Sequence, residues 1–116
     1  MLIQEHNYST QKNEIMKFNI QAVGFNADAE LIDLVDKKIN KLDKFKDHIV
    51  EGEVFLRLEN KSTTIKDKTI EIKCHVKGNT LFAKEITKTF EESLDLAVDN
   101  MSRQVRRFKE QLVEKK

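Results

Sequence analysis

The 116 residues contain no proline, no tryptophan, one cysteine and three glycines. Each shortage excludes something. With a single thiol, Cys74, no internal disulfide can form, which fits a reducing cytosol. Three glycines leave no glycine-rich loop to cradle a phosphate. Apolar runs are only a few residues long, so no segment spans a bilayer as a helix. The N-terminus lacks a basic stretch followed by an apolar one, so no secretory leader is expected. Residues for catalysis are equally scarce. His6, His48 and His75 are far apart, and no His-x3-His, Cys-x2-Cys or clustered-carboxylate spacing occurs. Ser62-Thr63-Thr64 has no partner base. Cys74 alternates with Ile72 and Val76, which reads as a small core residue, not a nucleophile. No enzyme activity, metal or cofactor is expected.

Charge is abundant instead. Charged residues make up 35% of the chain, yet the net charge is only +1, so placement matters more than the total. Residues 37–46 hold five lysines against Asp43, a balance of +4. Residues 101–116 hold three arginines and three lysines against Glu110 and Glu114, again +4, which leaves −7 for the rest. Basic residues near helix C-termini also complement the helix dipole, and that is the ordinary explanation. A gathered positive surface without catalytic residues points instead to a polyanion, with RNA or DNA the first candidate.

Hydrophobic periodicity gives one domain from Met16 onward, with residues 1–15 a disordered extension. Residues 17–23 alternate strictly, with Phe18, Ile20 and Ala22 on one face, as a half-buried strand does. Asp28 is a credible N-cap for a helix running to about Lys46, along which Leu31, Val35, Ile39 and Leu42 form an apolar stripe. Residues 51–60 alternate again, with Val54, Leu56 and Leu58 inward and Phe55 outward. After a polar loop over 61–68, residues 69–77 place Ile70, Ile72, Cys74 and Val76 inward. Gly78-Asn79 reads as a tight hairpin turn into a fourth strand over 80–86. Thr89 to Glu92 form a capping box. The last helix runs to about Val113, with Leu94, Val98, Met101, Val105, Phe108 and Leu112 in its stripe.

The expected fold is therefore α+β in the order β-α-β-β-β-α. Strands one and two pair in parallel across the first helix, and the rest form an antiparallel meander. Both helices pack on one face of a four-stranded sheet, a layout like that of double-stranded-RNA-binding domains. Such packing brings the basic sets of the two helices to one surface. Spacings of three and four residues advance roughly 5 Å, close to the spacing of successive phosphates. Arginine adds bidentate phosphate recognition. Phe55 and Phe82 fall at outward positions, but paired aromatics for base stacking are lacking, so shape and phosphate recognition are favoured. The RNA-binding candidates are Lys37, Lys38, Lys41, Lys44, Arg103, Arg106 and Arg107.

Three stretches resemble a known family: KFNIQAVGFNADAEL at the first strand, INKLDKF closing the first helix, and FEESLDLAVDNMSRQVRRFKEQL in the last. From Met16 to about Lys115 the chain resembles the ribosome hibernation-promoting factors, also called ribosome-associated inhibitor A or protein Y. The resemblance implies the same element order. It implies binding to the small ribosomal subunit and its ribosomal RNA near the decoding region, where messenger and transfer RNA are blocked in starvation or stationary phase. The family's basic positions fall on Lys38, Lys41, Lys44, Arg103 and Arg107, and one that is often lysine is Asn100 here. Lys37 and Arg106 come from helix geometry alone. The chain looks like the family's short form, cytoplasmic and monomeric when free, and whole ribosomes or ribosome dimers are further expected partners. An older label for the same sequences is modulation of a sigma factor. A protein-interaction module using an acidic sheet face, or a generic double-stranded-RNA binder, is the alternative.

Overall fold

The structure, a computed structural model, describes residues 5–9, 17–59 and 67–114. The elements are β1 (Glu5–Ser9), β2 (Phe18–Val23), α1 (Ala29–Ile39), a 3₁₀ segment (Asn40–Phe45), β3 (Ile49–Glu59), β4 (Asp67–Val76), β5 (Asn79–Thr87) and α2 (Phe90–Glu114). The sheet order is β1-β2-β3-β4-β5. The β2–β3 pair is parallel, and β3–β4 and β4–β5 are antiparallel, as the sequence pattern requires. Four of the strands and both helices are those expected, except that α1, expected to run to about Lys46, ends at Ile39, and Asn40–Phe45 tightens to 3₁₀ winding so that Leu42 and Phe45, three apart, both reach the core.

The fifth strand is not. Glu5–Ser9, within the stretch read as disordered, pairs antiparallel with β2 from Glu5↔Val23 to Ser9↔Asn19. The signal was missed because an edge strand is held by main-chain hydrogen bonds and need not carry a strict alternation. The rest of 1–15 lies outside the described residues, as do residues 60–66, most of the stretch expected as a polar loop. Asp67 and Lys68, read as loop, already belong to β4. The hairpin turn is shifted by one residue: Val76 pairs with Asn79, so Lys77-Gly78 makes the turn, with Gly78 at φ 78°.

Alternation explains the core. Phe18, Ile20 and Ala22 on β2, Val54 and Leu56 on β3, Ile70, Ile72 and Cys74 on β4 and Ala83 on β5 are all buried on one sheet face. Val35 and Ile39 from α1, Leu42 and Phe45 from the 3₁₀ segment, and Leu94, Ala97, Val98, Met101 and Val105 from α2 close over them in the same cluster. Leu58, expected inward, is only half-buried. The stripe of α2 also outruns its cover: Phe108 is half-buried and Leu112 exposed. At 1.5 Å per residue α2 is roughly 37 Å long, more than the roughly 30 Å of β5 beneath it.

Caps fix the helix starts. Asp28 Oδ1 accepts from the Leu31 amide at 2.8 Å. Thr89 Oγ1 accepts from the Glu92 amide at 3.1 Å, which is the N-cap half of the box.

Gly52 sits under the Phe18 ring at the register position facing Cys74. A Cβ there would fall within 3 Å of a ring that is itself buried. Gly52→Ala should therefore cost about 1–3 kcal/mol by overpacking, read as a lower midpoint in urea unfolding. Burial pushes the Cys74 thiol from 9.0 up to about 12. The fold thus favours the protonated thiol, a contribution complete below about pH 9 and lost as pH rises towards 12. In urea titrations between those values, Cys74→Ala should lose less stability than the parent chain.

Candidate nucleic-acid interface

The basic residues do not form one uniform patch; the fold sorts them. Lys41 and Lys44 lie on the 3₁₀ segment, where residues three apart eclipse one another. Leu42 and Phe45 are likewise three apart, and both are buried. The tight winding therefore puts two apolar side chains in the core and two lysines side by side outside it. Across from them, Arg103 and Arg106 stand exposed on the flank of α2 that faces this segment. Lys41, Lys44, Arg103 and Arg106 line one open groove of about 510 Å³ together with Asp99 and Ser102. Four cations against one carboxylate leave the groove strongly positive. Its walls are fixed by buried Leu42, Phe45, Met101 and Val105 beneath.

The other candidates sit elsewhere. Lys38 is engaged: its Nζ lies 2.8 Å from Asp95 Oδ1 on α2. That hydrogen bond, with the charge of the carboxylate, holds its ammonium above the ordinary lysine value against a smaller effect of desolvation. Lys38 thus joins α1 to α2, a tie that i to i+4 spacing could not reveal because its partner is 57 positions away in sequence. Lys37 is exposed but does not line the groove. Arg107 is on the opposite flank of α2, in a smaller cleft beside β5. Asn100 shares that flank. Its Nδ2 donates to Glu85 Oε2 at 3.2 Å, and its Oδ1 accepts from Gln104 Nε2 at 2.9 Å. It faces β5, so a lysine there would not join the groove. Asp99 and Ser102 were not singled out from sequence, since Ser102 is neutral and Asp99 is one of many surface acids with no spacing that marks it.

The outer sheet face is not acidic. Glu53 and Glu71 are interleaved with Arg57, Lys73 and Lys84, as their outward register positions require. Arg57 Nε donates to Glu71 Oε1 at 2.7 Å, and His75 Nε2 lies 2.9 Å from Glu53 Oε1. The Phe55 ring has the Arg57 guanidinium at 5.7 Å and the Lys73 ammonium at 5.4 Å. A reading built on an acidic sheet face therefore loses its premise. Cys74 is buried in the core, away from His75 on the opposite face. Among the described residues no three His, Cys, Asp or Glu side chains come together as a metal site. Nor is any helix among them long and apolar enough to cross a membrane.

Comparison with known proteins adds an independent line. The ribosome hibernation promotion factor of Bacillus subtilis (strain 168) is 28% identical over 94 residues, 81% of this chain and 49% of that protein. The ribosome hibernation promotion factor of Deinococcus radiodurans is 28% identical over 75 residues, 65% of this chain and 39% of that one. The chain thus spans half or less of the length of these relatives. Among solved structures, the N-terminal domain of Thermus thermophilus Protein Y superposes with a TM-score of 0.64 at 27% identity, covering 77% of this chain and 92% of that one. A ribosomal subunit interface protein from Coxiella burnetii gives 0.66 at 16% identity, covering 81% and 96%, a likeness of fold. The family described as sigma 54 modulation protein / S30EA ribosomal protein matches residues 18–113. The match runs from the first residue of β2 almost to the end of α2, so the chain belongs to the sigma 54 modulation protein / S30EA ribosomal protein family.

Proposed function

We propose that this chain is a non-enzymatic ribosome hibernation factor of the cytoplasm. It binds the small ribosomal subunit near the decoding region and keeps messenger and transfer RNA out, in starvation or stationary phase. The observation that carries the reading is the groove between the 3₁₀ segment and α2, where Lys41, Lys44, Arg103 and Arg106 converge. A rigid groove with four cations and no acid-base pair suits the phosphates of a folded RNA. The names of the two bacterial relatives point the same way. Inhibition is steric: the domain occupies space that the translated RNAs need. The free chain is a monomer, and whole ribosomes, singly or paired, are the larger partner.

A generic double-stranded-RNA binder is the second reading, favoured by the helices-on-sheet layout. Sedimentation of extracts from starved cells separates the two. Co-migration with small subunits or whole ribosomes is expected; a chain found only in the soluble fraction would sink the proposal. Equal affinity for any RNA duplex would favour the second reading.

The groove itself is tested by Lys41→Glu with Arg103→Glu. Both positions are exposed, so folding should persist while ribosome binding is lost. Retained inhibition of translation would reduce the groove to solvated surface. With four phosphate contacts, affinity should fall roughly a hundredfold between about 50 and 200 mM monovalent salt. A flat salt dependence would argue against phosphate recognition.

A further inference from the structure

Arg107 is the one arginine of α2 that the groove does not use, and its surroundings differ in kind. It lines a cleft of about 150 Å³ with Asn79, Leu81, Gln104, Phe108 and Gln111. Where the groove offers ammonium and guanidinium groups, this cleft offers three amides, an aromatic ring and one guanidinium. Cavities of this size accept a single six-membered ring. Two of the amides are already oriented. Asn79 Oδ1 accepts from the Thr80 amide at 2.8 Å, which leaves Nδ2 to donate. Gln104 Nε2 donates to Phe82 O at 2.7 Å and to Asn100 Oδ1 at 2.9 Å, which leaves Oε1 to accept.

We propose that the cleft between β5 and the C-terminal half of α2 holds one unstacked pyrimidine base of a bound RNA strand. This rests on the RNA-binding reading of the groove. A pyrimidine edge carries both donors and acceptors, which Gln104 Oε1 and Asn79 Nδ2 in the cleft lining are free to meet. Phe108 and the Arg107 guanidinium supply faces on which a base stacks, as aromatic and arginine planes do in single-stranded RNA recognition. The cleft is open on one side, so the second ring of a purine would project into solvent and gain no contact there. The cleft and the groove flank one helix about 10 Å across, so a strand with a phosphate in the groove reaches the cleft within a few nucleotides. The groove then contributes affinity without reading sequence, and the cleft contributes selectivity.

Amide-resolved NMR titration of the chain with three separate probes tests this. Uridine should shift the side-chain amides of Asn79, Gln104 and Gln111 and the backbone of Arg107 and Phe108, leaving the groove unmoved. Adenosine should shift them less, and inorganic phosphate should move residues around Lys41 and Arg103 instead. Asn79→Ala with Gln111→Ala should lose the uridine shifts and keep those from phosphate. Gln111→Ala alone, at an exposed helical position, should weaken them and guards against a folding defect. Absence of uridine shifts at the cleft, equal shifts from adenosine, or shifts surviving in the double variant would each overturn the proposal. A chain that takes uridine in the cleft but no phosphate in the groove would sink the groove reading alone.

Discussion

One apolar sheet face must be covered, and among the described residues two helical elements, α2 and α1 with its 3₁₀ extension, cover it. α2 lies over β4 and β5, and α1 with its 3₁₀ extension packs beside α2. Leu42 and Phe45 meet Met101 and Val105 in the same core. Once those four side chains are buried together, the residues just outside them have no freedom to separate. Lys41 and Lys44 must face Arg103 and Arg106 across a short gap. Their mutual repulsion opposes folding, and burial of the apolar side chains beneath, each contributing about 1.5–3 kcal/mol, holds them there. The basic groove is thus a by-product of core packing.

The same constraint gives α2 two unlike flanks. Towards α1 it presents Asp95, Asp99, Ser102 and Arg106, and of these Asp95 is taken by Lys38. Towards β5 it presents Asn100, Gln104, Arg107 and Gln111, where amides tie the helix to the Phe82 carbonyl and to Glu85. Charge on one side and amides on the other suit different parts of a polynucleotide: phosphate for the first, base for the second. On the outer sheet face Glu71 is paired with Arg57 and Glu53 with His75.

Much of this was legible before any coordinates. Strict alternation at Phe18-Ile20-Ala22 and at Ile70-Ile72-Cys74-Val76 identifies strands and their inner faces, and all seven side chains are buried. The caps at Asp28 and Thr89 are local hydrogen bonds between residues three apart, so sequence contains both partners. Three features were not legible. Glu5–Ser9 forms an edge strand through pairing with β2, which leaves no periodic mark of its own. The turn at Lys77-Gly78 depends on the register of β4 against β5, which spacing locates only to within a residue. The change to 3₁₀ winding at Asn40 follows from how Leu42 and Phe45 reach the core, a tertiary demand.

The sequence by itself determined the element order, the inner face of each strand and the segregation of positive charge into two helical stretches. These follow from periodicity and composition, which act over a few residues. Only the tertiary structure decided which cations act together. A wheel of 100° per residue groups Lys37, Lys41 and Lys44, with Lys38 nearer the edge of the apolar stripe, and Arg103, Arg106 and Arg107 as a second set. Packing splits both sets. Lys38 is drawn to Asp95, Lys37 is left outside, Arg107 is turned towards β5, and Lys41, Lys44, Arg103 and Arg106 share the groove. The physical reason is that charge recognition depends on distance through space, and the distance between two helices is set by the side chains buried between them.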